Sequence, residues 1–179
     1  MKAEKARQAV VADLEAAKDA HPQKDPPFDI NAKTAVIMVN GFNGLGMHTL
    51  FSIIRFFGKE FRNFVFVQIG VIDAGNFKGV HEVEHLEEAI KKDVNRYVDF
   101  MHSQGCYAEG LTFVGIDVID ELEKIGPELF QRFPGAVFFG GQLVFEHETI
   151  LTKLLHNYTV FAMQRKFYNQ GIPFVVLPI

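Results

Sequence analysis

Five short runs rich in Val, Ile and Phe, at residues 34–39, 64–72, 111–115, 136–139 and 174–177, alternate with longer segments whose apolar residues recur every three or four positions. This alternation constrains the fold more than any other feature. A strand without polar alternation is apolar on both faces, so both faces of its sheet must be covered, and helical connections supply the cover. The spacing predicts helices over 46–58, 80–103, 117–132 and 147–170. In the second, Val83, Leu86, Ile90, Val94, Tyr97 and Met101 form one stripe that faces the sheet. Gly105 and Gly171 follow the second and fourth helices, where left-handed caps are common. Pro127 falls inside the third, so that helix begins there or bends. The result is a βαβαβαβαβ chain with right-handed crossovers. The pattern alone leaves the order of the strands open.

With 179 residues the chain is long enough for one domain with a substantial core. Its 19 Phe and absence of Trp predict a Phe-rich interior. The formal net charge of -4, with acids and bases interspersed, carries no electrostatic footprint for DNA or RNA. Cys106 is the lone cysteine and no secretory leader precedes the first strand, which points to a reducing, cytosolic setting. The uncharged stretch 34–54 is long enough to cross a bilayer, but Asn40, Asn43, His48 and three glycines divide it into strand, loop and helix. Residues 2–20 have Ala6, Val10, Leu14 and Ala17 at helical spacing among charges, and "HPQKDPPFD" follows. That is a short helix and a Pro-rich linker, read either as a tether to something upstream or as a helix lying on its own domain.

Four stretches then agree in order and spacing: "NGFNGLGMHTL", "FRNFVFVQIGVIDAGNFKGV", "FPGAVFFGGQLVFEHETILTKLLHN" and "FAMQRKFYNQGIPFVVLPI". Together they resemble the cytoplasmic C-terminal domain that follows the last membrane helix in some permeases of the amino acid, polyamine and organocation superfamily. The resemblance covers 33–179. It implies a domain similar to universal stress proteins, a doubly wound three-layer α/β fold with a five-stranded parallel sheet in the order 3-2-1-4-5. Residues 1–32 then read as a juxtamembrane helix and linker. It also implies a non-catalytic regulatory or assembly role on the cytoplasmic side of an integral membrane protein, with the parent's own transmembrane domain as partner. A homodimer is expected, since universal stress proteins often dimerise through the last strand and "IPFVVLPI" would otherwise be an unpaired apolar edge. The alternatives are a free-standing universal stress-like protein that binds ATP or AMP, and the cytosolic domain of a cation-chloride cotransporter.

That strand order places a switch-point crevice between the first and fourth strands, where open α/β sheets bind ligands. Asn40, Gly41, Asn43, Gly44 and Gly46 would line it from one loop, and Gly140, Gly141 and Gln142 from the other, with Asp73, His156 and Asn157 nearby. Glycines permit a phosphate to approach backbone N–H groups at a helix N-terminus. The local chemistry opposes this. No Lys or Arg lies between Asn40 and Ile54 or between Gly135 and Thr152, and Glu146 and Glu148 stand where the fourth helix begins. Nucleotide-binding universal stress proteins carry two glycines three apart after the fourth strand and a Gly-Ser or Gly-Thr pair further on. Here Leu143 replaces the second glycine, and His156 and Asn157 replace the later pair. The glycines therefore read as tight turns with close packing, and no cofactor is expected.

"HEVEH" at 81–85 has the spacing of a zinc protease helix. His81, Glu82 and His85 begin a polar-faced helix without a third ligand in view, so adventitious metal binding by His81 and His85 is the expectation, not catalysis. Ser52 and Ser103 fall inside predicted helices, outside any strained nucleophile elbow. Cys106 has no nearby Lys or Arg in the sequence to activate it. Asp117 and Asp120 suit the start of the third helix as caps.

Overall fold

A computed structural model describes residues 25–72, 79–142 and 150–179, with side chains described throughout these except at 80 and 150–157. The strands are β1 (Lys33–Met38), β2 (Phe61–Val71), β3 (Tyr107–Gly115), β4 (Ala136–Gln142) and β5 (Phe174–Pro178). The helices between them are α1 (Gly44–Phe57), α2 (Val80–Ser103), α3 (Val118–Arg132) and α4 (Ile150–Asn169). All pairings are parallel, and the sheet order is β3-β2-β1-β4-β5, as expected.

The chain steps outward from β1 through β2 to β3, then returns to the other side of β1 for β4 and β5. With one crossover hand, that reversal puts α1 and α2 on one face and α3 and α4 on the other. The burial pattern follows. Ala35, Ile37, Phe64 and Phe66 pack with Leu50, Ile53, Val94, Tyr97 and Met101. Val36, Val65 and Val67 pack with Leu122, Leu129, Met163 and Phe167. Successive strand residues point to opposite faces, so an uninterrupted apolar run serves both cores. The phenylalanines meet edge to face: Phe57, Phe61 and Phe139 form a triangle with ring centroids 5.3 to 5.7 Å apart.

Three local expectations are corrected. β2 begins at Phe61 and β3 at Tyr107, earlier than the apolar runs suggest, because Arg62, Asn63, Glu109 and Gly110 interrupt those runs while the ladder starts at Asn63↔Tyr107. β4 extends through Gly140, Gly141 and Gln142, which pair with Val176, Leu177 and Pro178 and so belong to a strand, not a loop. Pro127 neither starts nor ends α3. A proline there leaves the carbonyl four residues earlier without its helical donor, and Gln170 Nε2 donates to that carbonyl, Glu123 O, at 3.2 Å. The caps are as expected: Asp117 accepts from Ile119 N and Asp120 N, and Gly105 and Gly171 have φ of 73 and 72.

The described part of the predicted linker is docked, not free. Asp29 N donates to Asn63 Oδ1 at 3.0 Å, and Asn63 Nδ2 donates to Asp29 O at 2.8 Å and to Ala32 O at 3.4 Å. Phe28 meets Tyr107 edge-on at 5.1 Å, and Asp25 pairs with His102 at 3.2 Å. This strap closes the N-terminal end of the sheet. The predicted tether helix lies outside the described residues.

Candidate functional site

The opposite end of the sheet carries a cavity of about 590 Å³, lined from the C-terminal ends of β1, β2 and β4 and from all four helices. It sits at the switch point between β1 and β4. Asn40, Asn43, Gly46, Gly140 and Gly141, five of the predicted crevice residues, line it. Gly41 and Gly44 belong to the same loop and helix start but are not part of its wall, and neither is Gln142. Asp73 lies outside the described residues, as do the side chains of His156 and Asn157 and the whole of Leu143, Glu146 and Glu148.

The glycines at this end make room for side chains. A Cβ on Gly46 would overlap the hydroxyl of Tyr97, which comes across from α2. That hydroxyl donates to Gly41 O at 3.0 Å and accepts from Asn43 N at 3.4 Å. Burial pushes the Tyr97 phenol above its ordinary pKa, with the nearby Asp93 carboxylate adding to the effect, so it stays a neutral donor. Asn43 caps α1: its Oδ1 accepts from Gly46 N at 3.0 Å while its Nδ2 donates to Asn40 O. Two amides of this loop, those of Asn43 and Gly46, thus bond within the protein. Likewise a Cβ on Gly141 would overlap Thr49 Oγ1, and one on Gly140 would press on Val160 and Phe174.

Two residues near this loop were not legible from its own sequence. Arg96 on α2 brings a cation to the loop, but its guanidinium lies 3.8 Å over the ring of Phe42, which itself packs on Tyr97. Gln68 on β2 is 4% exposed, lines the cavity, and its Oε1 has no hydrogen-bond partner. The only sequence signal for Gln68 is that it interrupts "FVFVQIGV".

The zinc-like pair, the two serines and the cysteine singled out in the sequence are not among the residues that line this cavity, and Ser52 sits inside α1. His81 is exposed on α2 and pairs with Glu84 at 3.2 Å, and His85 is exposed as well. Among the described residues no three His, Cys, Asp or Glu converge in a way that could hold a metal. Ser103 Oγ donates to Phe100 O at the end of α2. Cys106 is not without a cation, contrary to the expectation from its sequence neighbours: Arg62 pulls its pKa down, yet burial is the larger effect and pushes the thiol up. Tyr107 donates to Glu109 at 2.8 Å and is pushed up to about 12 by burial and by that carboxylate, which also binds Arg132. Cys106, Tyr107 and Glu109 lie at the strap end of the sheet. No described helix is long and apolar enough to cross a membrane.

Among solved structures the chain is similar to a protein of the universal stress protein family from Burkholderia pseudomallei, with a TM-score of 0.59 at 13% identity, covering 86% of this chain and 100% of that one. It is also similar to a universal stress protein from Archaeoglobus fulgidus, with a TM-score of 0.49 at 12% identity, covering 80% of this chain and 92% of that one. No family model matches, and no curated protein matches. At these identities the likeness is one of fold: a universal stress protein-like α/β domain.

Proposed function

We propose that this domain is a non-catalytic regulatory or assembly module on the cytoplasmic side of a membrane transporter resembling amino acid permeases, and that it works by pairing with a second copy of itself. The resemblance of four sequence segments suggests the parent. The observation that carries the pairing is the outer edge of β5.

Phe138 N donates to Pro173 O at 2.9 Å and Ile179 N to Gln142 O at 2.8 Å. In a parallel ladder alternate residues face the neighbouring strand, so Phe174, Val176 and Pro178 turn their backbone groups outward. Of these, Phe174 O already accepts from Gln164 Nε2 at 3.3 Å, and Pro178 has no N–H. A second β5 laid antiparallel, with Val176 opposite Val176, matches this pattern. The two Val176 residues exchange both bonds, and each Phe174 N–H meets a Pro178 carbonyl. The carbonyl that would face the missing proline donor is the one Gln164 has satisfied. An isologous contact of this kind closes as a dimer. Paired domains would link the movements of two transporter subunits.

Light scattering across a concentration series tests this. The dimer mass is expected for the native chain, and the monomer mass for Val176→Pro, which removes an outward N–H and leaves the β4 ladder intact. A native chain that stays monomeric at every concentration sinks the pairing. The transporter reading has its own check, namely whether the complete gene product carries hydrophobic spans ahead of this domain.

A further inference from the structure

The two flanks of α4 differ. On one, Lys166 bonds Glu123 of α3. On the opposite flank Gln164 reaches over β5 and donates to Phe174 O. Between them Val160, Met163 and Phe167 are buried in the core. The Phe167 ring lies 4.9 Å from that of Phe138 on β4 and 5.5 Å from that of Phe174 on β5, so the helix straddles these two strands.

Phe161 and Tyr168 stand three residues before Gln164 and four after it, the spacing that sets side chains in one row along a helix. The row therefore overlooks the outer edge of β5. Phe161 is 45% exposed and Tyr168 80%. None of the three side chains is charged, so no like charges would meet if two such rows came together.

This edge is where a second β5 would pair, and the inference rests on that reading. Two antiparallel β5 strands are related by a dyad perpendicular to the sheet, which keeps both copies of α4 on one face. With strands about 4.8 Å apart, a helix over β4 and β5 lies roughly 5 Å from the dyad. The two helices are then about 10 Å apart, the separation at which helices pack. Height along the dyad follows from the register. Val176, on the dyad, is about 7 Å along β5 from Phe174. Because α4 runs the opposite way, that distance corresponds to about four to five residues before Gln164. Phe161 is the member of the row at that level.

We propose that α4 packs against α4 of a second copy, with Phe161 meeting its own counterpart at the dyad. The strand edge sets the register, and this aromatic contact supplies the apolar centre that such an interface needs.

The test is a pair of cysteine variants in a Cys106→Ser background, which lacks the native thiol. Phe161→Cys should form a covalent dimer on oxidation with copper phenanthroline, since facing positions of the two helices come within disulfide reach. Tyr168→Cys should not, because it lies about two turns further along and so roughly 20 Å from its counterpart. In light scattering of the otherwise native chain, Phe161→Glu should weaken the dimer by about ten-fold or more, since two carboxylates then meet at its centre. If the native chain dimerises and Val176→Pro does not, yet Phe161→Cys stays uncrosslinked, the helix contact is wrong and the strand pairing stands. Equal crosslinking at both positions reports chance collisions and overturns the proposal. A native chain that remains monomeric overturns both readings.

Discussion

Strand β2 carries two buried amides five positions apart, and the two ends of the sheet treat them in opposite ways. At the N-terminal end Asn63 is fully enclosed and bonds through both its oxygen and its nitrogen to the strap formed by residues 25–32. At the C-terminal end Gln68 is almost as deeply buried and lines the cavity, but its own oxygen is sealed in and has no partner. A buried amide becomes a structural clasp where the chain folds back to meet it. Where the chain does not, the same chemistry persists at a cost.

The largest expected effect is at the clasp. Asn63→Leu removes three bonds to the strap and should destabilise the domain by about 3 kcal/mol in urea unfolding, with new protease cleavage near Phe28. Unchanged stability would mean that the strap hangs on Phe28 alone and that the contrast between the two amides is false. Next comes the loop beside the cavity. Gly46→Ala should cost about 2 kcal/mol, because Tyr97 is fully buried and has nowhere to retreat. Adding Tyr97→Phe should recover part of that loss, a coupling that a double-mutant cycle measures. Strict additivity would show that the glycine serves another purpose. The smallest effect has the opposite sign: Gln68→Met should raise stability by about 1 kcal/mol, since it removes an unpaired buried polar group. A loss of stability there would show that Oε1 has a partner after all.

Much of the architecture could be read directly along the chain. The stripe from Val83 to Met101 turned its middle and end, Ile90, Val94, Tyr97 and Met101, into the sheet, and Asp117 caps α3. Periodicity and capping are local properties, carried by neighbours in sequence, and so they survive without any knowledge of the fold. The order 3-2-1-4-5 came from family resemblance and agrees with the sheet. The candidate site was half legible. Its loop glycines and asparagines were found and the glycines were read as close packing, but the partner was not, because what fills the space over Gly46 is a tyrosine from another helix.

Local pattern was enough to dictate a parallel sheet clothed by helices, since strands apolar on both sides admit no other cover. Which polar residues are clasps and which are left without a partner was settled only in three dimensions. In sequence, Asn63 and Gln68 are two polar letters in one apolar strand. Asn63 is satisfied by a backbone 34 residues away, and Gln68 Oε1 meets no such return. Hydrogen bonds of that kind depend on where distant segments arrive, and no local pattern carries that information.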